Sequence, residues 1–336
     1  MDLRLTKTAI EDLFYTFNNK QVLIIGDVMV DAYLWGEVER ISPEAPVPVV
    51  AVTHRANRLG GAANVALNIK AMGAEPLLCS VCGKDAKSTE FIQLLDEESM
   101  FTDGVIRSPE RVTTTKFRII GNNMQMLRVD EEATHPLTKV ETATLFSTIK
   151  YIIDQNNISV ILFQDYDKGV ITKELICKVT DYANKNHIPI AVDPKKRNFS
   201  DYKNISLFKP NLKELKEGLK LETDLHDPVH LQEAVNMLHE GQRIAHVMVT
   251  LSEKGVFISG DGHGEHIPAH RRAISDVSGA GDTVISVMAL CMAANISPVD
   301  AAAIANLAGG LVCEEAGVVP VNKQKLLQEV IEAYGH

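Results

Sequence analysis

Short apolar runs that end in polar turns alternate with helical segments over most of this 336-residue chain. The runs at 22–25, 160–163 and 188–192 are almost continuously apolar, which is typical of parallel strands buried on both faces. Segments between such runs, for example 173–186, carry apolar residues at helical spacing. This alternation predicts an α/β fold: a doubly wound, mainly parallel sheet flanked by helices. Ligands of such sheets bind at the carboxyl ends of the strands.

Two regions do not show this alternation of strands and helices. The segment 32–52 contains a proline-rich run from Ile41 to Pro48, and prolines favour turns and sheet edges. The segment 112–130 alternates polar and apolar residues around Gly121, which predicts a β-hairpin. We expect both regions to form short strands in a small second sheet, a lid on a single domain that spans 1–336.

Composition limits the partners of the chain. Its formal net charge is -10, which argues against binding nucleic acid through the overall field. Five scattered cysteines favour a reducing compartment over a disulfide framework. A signal peptide and an apolar run long enough to span a membrane are both absent from the sequence, so we expect a cytoplasmic protein without a membrane partner.

The stretch from Asp276 to Thr283 is the strongest candidate for chemistry. Gly279, Ala280 and Gly281 are small enough for backbone N–H groups to approach a bound phosphate, and a helix that begins near Ala280 directs its dipole to the same point. Asp282 would repel that phosphate, so its presence calls for a chemical reason, namely removal of a proton from an attacking hydroxyl. The alternative is a glycine-rich turn whose aspartate favours the helix dipole.

Three other groups of residues have both a binding and a structural interpretation. Gly60, Gly61 and Asn64 open a helix of small residues, which suits either a ligand against the backbone or close helix packing. Asp31 follows a buried strand and can bind a sugar hydroxyl or stabilise a turn. Asn211 and Glu214 have the spacing of a helix capping box.

Cations that could hold an anionic substrate are few. Lys195 belongs to the basic run Lys195 to Arg197, directly after the strand that ends near Val192. Arg118 and Arg128 lie on the predicted hairpin, where a solvated strand face is the alternative.

Taken together, the 276–283 stretch, the 60–64 glycines and the Asn211/Glu214 pair resemble the ribokinase (phosphofructokinase B-type) family of carbohydrate kinases. The resemblance covers nearly the whole chain. Within the family, the segments 26–31, 40–48 and 60–66 resemble the kinases of D-glycero-β-D-manno-heptose 7-phosphate, which act in ADP-heptose synthesis for the lipopolysaccharide core.

The resemblance implies a ribokinase-like fold, ATP and Mg²⁺ as cofactors, and transfer of a phosphoryl group to the anomeric hydroxyl to give the 1,7-bisphosphate. It assigns the base to Asp282 and phosphoryl stabilisation to residues 279–281. An ordinary aspartate, with a pKa of about 3.9, is a weak base that suffices if the hydroxyl proton leaves late. Further implications are a monovalent cation and a homodimer formed through the lid sheets. The remaining implied roles are ATP contacts at Asn211, Glu214, Thr250, Ser252, Gly255 and Asn306, a water-mediated Mg²⁺ contact at Glu214, and sugar contacts at Asp31, Gly60, Gly61, Asn64, Lys195, Arg118 and Arg128.

Some features depart from these relatives. The H-x-G-H motif of their nucleotidyltransferase half does not occur in the sequence, so we expect no such domain here. Lys209 stands where a threonine is common, and Ser275 where a tyrosine is common. The alternatives are a kinase for another sugar or sugar phosphate, such as a hexose phosphate or ribose, and a non-catalytic sugar- or nucleotide-binding regulator.

Overall fold

The computed structural model describes residues 6–260 and 262–335. In chain order, its strands are β1 (Gln21–Gly26), β2 (Val28–Ile41), β3 (Pro48–Gly61), β4 (Glu75–Gly83), β5 (Val105–Ser108), β6 (Thr115–Gly121), β7 (Met124–Glu131), β8 (Ile158–Gln164), β9 (Ile190–Asp193), β10 (Leu207–Phe208), β11 (His246–Thr250), β12 (Val256–Gly260) and β13 (His263–Ile267). The helices are α1 (Lys7–Thr16), α2 (Ala62–Ala71), α3 (Ala86–Glu97), α4 (Lys139–Gln155), α5 (Lys173–Lys185), α6 (Leu212–Leu219), α7 (Pro228–Gln242), α8 (Ala280–Ala293), α9 (Pro298–Val312) and α10 (Lys323–Tyr334).

The main sheet has nine strands in the order β13-β12-β11-β10-β9-β8-β1-β4-β5. Every neighbouring pair from β11 to β5 is parallel, whereas β12 and β13 pair antiparallel at one edge. The prediction of a doubly wound, mainly parallel sheet is therefore confirmed. From β1, the strands β4 and β5 extend the sheet to one side, and the strands from β8 onward extend it to the other. Open α/β sheets bind ligands at such a switch point, here between β1 and β8.

Helices cover both faces of this sheet. Alternate residues of β1 point to opposite faces: Val22 and Ile24 join the core under α2, α8 and α9, and Leu23 and Ile25 join the core under α4, α5 and α7. Because β1 contributes to two cores, its sequence is continuously apolar from Val22 to Ile25, as in other strands buried on both faces.

The small sheet has four strands in the order β3-β2-β6-β7. It confirms a second sheet, but the expectation of short strands is wrong, because β2 and β3 have 14 residues each. Prolines limit strands only where they occur, and here all three, Pro43, Pro46 and Pro48, lie in or at the edge of the turn between β2 and β3. The middle pair, β2 and β6, is parallel, which joins the two predicted regions into one sheet.

Candidate active site

Asp282 lies in the first turn of α8 and is only 7% exposed. The helix has no side-chain cap: its N-cap is Gly279, whose φ of 82° is a left-handed conformation that favours glycine. Ala280 donates its N–H to the carbonyl of Val277 at 3.3 Å, a long bond that an anion can replace. The predicted helix start is confirmed, and its first turn presents unsatisfied N–H groups beside a buried carboxylate.

Three side chains donate hydrogen bonds to the Asp282 carboxylate. Oδ2 accepts from Asn64 Nδ2 at 2.7 Å, and Oδ1 accepts from Gln164 Nε2 at 3.1 Å and from the Tyr166 hydroxyl at 2.7 Å. Asn64 comes from the first turn of α2, and Gln164 is the last residue of β8. Asn64 is a predicted sugar contact, whereas Gln164 and Tyr166 have no predicted role. Their position at the carboxyl end of β8 was the available signal.

Burial raises the pKa of Asp282 to about 6, although the hydrogen bonds from Asn64 and Tyr166 act in the opposite direction. This corrects the expectation of an ordinary aspartate with a pKa of about 3.9. A carboxylate that titrates nearer to neutrality is a stronger base, and it remains mostly ionised at pH 7. The surroundings of Asp282 therefore suit the acceptance of a proton.

Two amide oxygens beside Asp282 are buried and have no hydrogen-bond partner among the described residues. These atoms are Oδ1 of Asn64 and Oε1 of Gln164. A buried acceptor without a donor costs free energy, on the order of 1–3 kcal/mol. Ligand hydroxyl groups that bind here would satisfy both oxygens.

Asp27 binds the backbone of the turn that carries Tyr166. The Asp27 carboxylate accepts backbone N–H bonds from Tyr166, Lys168 and Val170 at 2.8, 3.2 and 2.9 Å. Asp27 is buried and directly follows β1. With three backbone N–H groups bound, Asp27 stabilises this turn.

Two lysine–carboxylate pairs lie at the ends of the neighbouring strands. Lys209, directly after β10, is buried and contacts Asp193 at the end of β9, with 3.0 Å between Nζ and Oδ2. A Cβ placed on Gly281 would lie 3.8 Å from Lys209 Nζ, so this ammonium borders the first turn of α8. The substitution of lysine for threonine at this position thus adds a buried cation next to the proposed phosphoryl site.

Lys195 pairs with Glu214 and lies over the Tyr166 ring, with 5.8 Å from Nζ to the ring centroid. Burial would lower the pKa of Lys195, but Asp193 and Glu214 outweigh it and raise the pKa. The ammonium therefore stays charged, and it lies near Asp282 rather than on the small sheet.

Asn211 and Glu214 form the capping box of α6. Asn211 Oδ1 accepts from the Glu214 N–H at 2.8 Å, and Glu214 Oε2 accepts from the Asn211 N–H at 2.9 Å. The structural interpretation of this pair is confirmed. Its ATP and Mg²⁺ roles stay predictions, and so do those of the other nucleotide candidates.

Those other candidates lie after β11 and on α9. Thr250 ends β11, and Ser252 begins a short 3₁₀ turn. Gly255 has a φ of 94°, and a Cβ there would meet the Ile267 carbonyl at 2.1 Å, so backbone packing alone requires glycine. Asn306 donates to the Pro268 carbonyl at 2.9 Å.

One face of the small sheet carries cations around a tyrosine. The guanidinium carbons of Arg58 and Arg118 lie 5.1 and 5.3 Å from the centroid of the Tyr33 ring. Arg118 also pairs with Asp31, whereas Arg58 has no ion pair among the residues that the structure describes. Arg118 is a predicted sugar contact and Arg58 is not, because only the strand register brings the two arginines together.

The remaining sugar candidates differ in exposure. Arg128 is the cross-strand partner of Arg118, half exposed, and pairs with Asp130 at 2.9 Å. Gly60 lies against Asp31, since a Cβ at Gly60 would be 2.6 Å from Asp31 Oδ2. Gly61 has a φ of 61° and lies against the Asp27 carbonyl. Both glycines therefore have packing reasons, and Gly60 also keeps the space beside Asp31 open.

The fold and this site together define a class of protein. Beside the carboxyl ends of a mainly parallel sheet lie an uncapped helix N-terminus, a buried aspartate and several cations, an arrangement that suits phosphoryl transfer to a hydroxyl group. The chain belongs to the pfkB family of carbohydrate kinases, whose family model matches residues 19–325. Family membership also implies the use of ATP.

Curated relatives agree with this assignment. The chain is 40% identical over 298 residues to the bifunctional protein HldE of Helicobacter pylori (strain G27), a match that covers 89% of this chain and 64% of that protein. It is 35% identical over 329 residues to the bifunctional protein HldE of Pelobacter propionicus, covering 98% of this chain and 67% of that protein. The chain thus spans about two thirds of the length of these relatives.

Solved structures confirm the ribokinase-like fold. Phosphofructokinase-2 from Escherichia coli, in complex with potassium, superposes with a TM-score of 0.77 at 19% identity, covering 93% of this chain and 99% of that one. Arabidopsis thaliana ribokinase, complexed with ribose and ATP, superposes with a TM-score of 0.69 at 17% identity, covering 92% and 98%. At these identities the likeness concerns the fold alone.

Proposed function

We propose that this kinase transfers the γ-phosphoryl group of ATP to the anomeric hydroxyl of D-glycero-D-manno-heptose 7-phosphate, a step of ADP-heptose synthesis for lipopolysaccharide. The observation that carries phosphoryl transfer is the buried Asp282 carboxylate, held by three donors at the uncapped start of α8. The heptose substrate is supported by the resemblance of segments 26–31, 40–48 and 60–66, and by relatives named HldE that cover most of the chain.

In this proposal Asp282 accepts the proton of the sugar hydroxyl as that oxygen attacks the γ-phosphorus. Negative charge on the transferring group is stabilised by the N–H groups of Gly279, Ala280 and Gly281. Lys209 adds a buried positive charge on the same side. A raised pKa of about 6 makes proton acceptance by Asp282 more favourable than for an exposed aspartate.

Sugar hydroxyls would be held by the unpartnered amide oxygen of Asn64 and by Asp31. For the 7-phosphate we assign Arg58 and Arg118, because Arg58 has no acidic partner among the described residues and both guanidiniums flank Tyr33. Arginine binds phosphate oxygens with charge-assisted, often bidentate hydrogen bonds. Arg128 is a weaker candidate, since Asp130 already pairs with it, and the position of Lys195 beside Glu214 favours the ATP phosphates instead.

The donor set around Glu214 suits a Mg²⁺ ion that arrives with ATP and keeps most of its water. Within residues 6–260 and 262–335 no cluster of three or more acidic, histidine or cysteine side chains could hold a metal directly. Glu214 and Asp193 each pair with a lysine, so either carboxylate can contact ion-bound water when its lysine turns to a phosphate. When bound, the ion would neutralise phosphate charge.

The ATP base and ribose would lie along Thr250, Ser252, Gly255 and Asn306, at the carboxyl end of β11 and on α9. The small sheet would act as a lid that excludes water and so limits ATP hydrolysis. A monovalent cation remains part of this proposal, by resemblance to the family.

We also propose a cytoplasmic homodimer that forms through the small sheets. Edge strand β7 exposes Met124, Leu127 and Val129 at 69%, 54% and 46%, an apolar surface that a second copy would cover. All five cysteines are free thiols, as in a reducing compartment. No helix in the described part of the chain is both long and apolar enough to cross a membrane.

A substrate panel with a coupled ADP-release assay tests the proposed reaction. We expect kcat/KM for heptose 7-phosphate to exceed the values for fructose 6-phosphate and ribose. A preference for either of those sugars would refute the heptose assignment and leave the family intact. No transfer to any sugar would favour a binding regulator, against which the intact Asp282 site argues.

A further inference from the structure

The two oxygens of the Asp282 carboxylate have different surroundings. A carboxylate accepts about four hydrogen bonds, roughly two at each oxygen. Oδ1 already accepts two, from Gln164 Nε2 and the Tyr166 hydroxyl. Oδ2 accepts one, from Asn64. The free position is therefore at Oδ2, next to the amide of Asn64, whose own Oδ1 has no partner among the described residues.

We propose that Tyr166 and Gln164 are positioning residues that occupy Oδ1 of Asp282 and thereby make Oδ2 the oxygen that takes the sugar proton. The inference rests on the proposed function, because it concerns the base of that reaction. In the step, a bond forms between the sugar oxygen and the γ-phosphorus, and the bond from the γ-phosphorus to the bridging oxygen breaks. ADP leaves with that electron pair, and the hydroxyl proton goes to Oδ2, from which solvent removes it after product release.

Tyr166 is held firmly enough for this role. Its backbone N–H donates to Asp27, which binds two further N–H groups of the same turn. Its ring lies against Lys195. Burial raises the pKa of the Tyr166 hydroxyl well above its usual value of 10, so the group remains a donor throughout the working pH range.

Other charged groups also face Asp282. Asp193, at the end of β9, raises the pKa of the Asp282 carboxyl, and Lys209, after β10, lowers it. Lys195 adds a positive charge over Tyr166. Tyr166→Phe removes only the hydroxyl that donates to Asp282 and keeps the ring beside Lys195, so a change in titration then reports the lost hydrogen bond. Gln164→Met also removes a 3.4 Å contact between Gln164 Nε2 and Asp193 Oδ2, so Tyr166→Phe is the cleaner of the two variants.

The test compares Tyr166→Phe and Gln164→Met with the wild type. In the ligand-free protein, the Asp282 carboxyl is titrated by NMR with ¹³C-labelled aspartate and identified by its loss in Asp282→Asn. Because the lost donors stabilise the charged carboxylate, we expect the midpoint to rise, by about one pH unit in Tyr166→Phe. The acidic limb of kcat/KM for the sugar should move by the same amount, whereas KM for ATP should stay unchanged.

Tyr15→Phe is the matched control, since Tyr15 is 72% exposed on α1. An unchanged Asp282 midpoint in either folded variant would overturn the inference, even if turnover fell. Gln164→Met keeps the test valid if Tyr166→Phe does not fold. If the wild-type protein phosphorylates no sugar, the proposed function fails, but the NMR titration still decides whether these two side chains hold Oδ1.

Discussion

Replacing Asp282, the proposed base, should stabilise this protein and strongly reduce its turnover. Burial raises the pKa of Asp282 from 3.8 to about 6, so the folded state holds a proton that the unfolded chain loses at lower pH. Stability therefore falls as pH rises from about 4 to about 6, and the deficit is complete above that range. Two pKa units at 1.36 kcal/mol each correspond to about 3 kcal/mol at neutral pH.

Asp282→Asn removes this cost because an amide does not ionise. The new amide nitrogen would face Asn64, whose side chain can turn its unpartnered oxygen toward it. We expect the free energy of unfolding at pH 8 to rise by up to about 3 kcal/mol. For 336 residues this is roughly 4 °C in melting temperature. Turnover should fall at least about 10²-fold, the lower end for loss of a positioned base, with little change in ATP binding.

Urea unfolding of both proteins between pH 4 and pH 8 measures the effect. The difference should be largest at pH 8 and smallest at pH 4, where the wild-type carboxyl is protonated in the folded state and still partly protonated in the unfolded chain. Asp12→Asn, on the exposed side of α1, is the control and should show no such trend. A variant less stable than the wild type at pH 8, or a difference independent of pH, would refute the reasoning. Near-normal turnover would refute the assignment of Asp282 as the base.

Three further changes probe the sugar and phosphoryl sites. Arg58→Ala should raise KM for the sugar phosphate by roughly 10- to 100-fold without changing KM for ATP, and the control Arg55→Ala, on the opposite face of β3, should leave both constants unchanged. Gly60→Ala should weaken sugar binding at least about 10-fold in a direct titration, because its Cβ would lie 2.6 Å from Asp31; unchanged binding would show that Asp31 has room to move. Lys209→Thr should lower kcat by about 10²-fold with nearly constant KM for the sugar, since a charge that stabilises the transition state is lost. An increase in KM with an unchanged kcat would exclude that role.

Local signals in the sequence predicted the elements that depend on near neighbours. The apolar run of β1, the capping box of Asn211 and Glu214, and the glycine start of α8 each involve residues within a few positions of one another. The small sheet was predicted in outline and not in strand length. Its prolines cluster at the turn between β2 and β3, and composition alone does not show how far the strands extend on either side.

The sequence by itself determined the order of strands and helices, the start of α8 and the presence of an aspartate in its first turn, because these follow from spacing and backbone preference. Only the tertiary structure decided which side chains surround that aspartate. Gln164 and Tyr166 are 118 and 116 positions from Asp282, and the order of β8, β1 and β9 in the sheet brings them within hydrogen-bond distance. Burial depends on the same packing, so the raised pKa of Asp282 could not be predicted from residue spacing either.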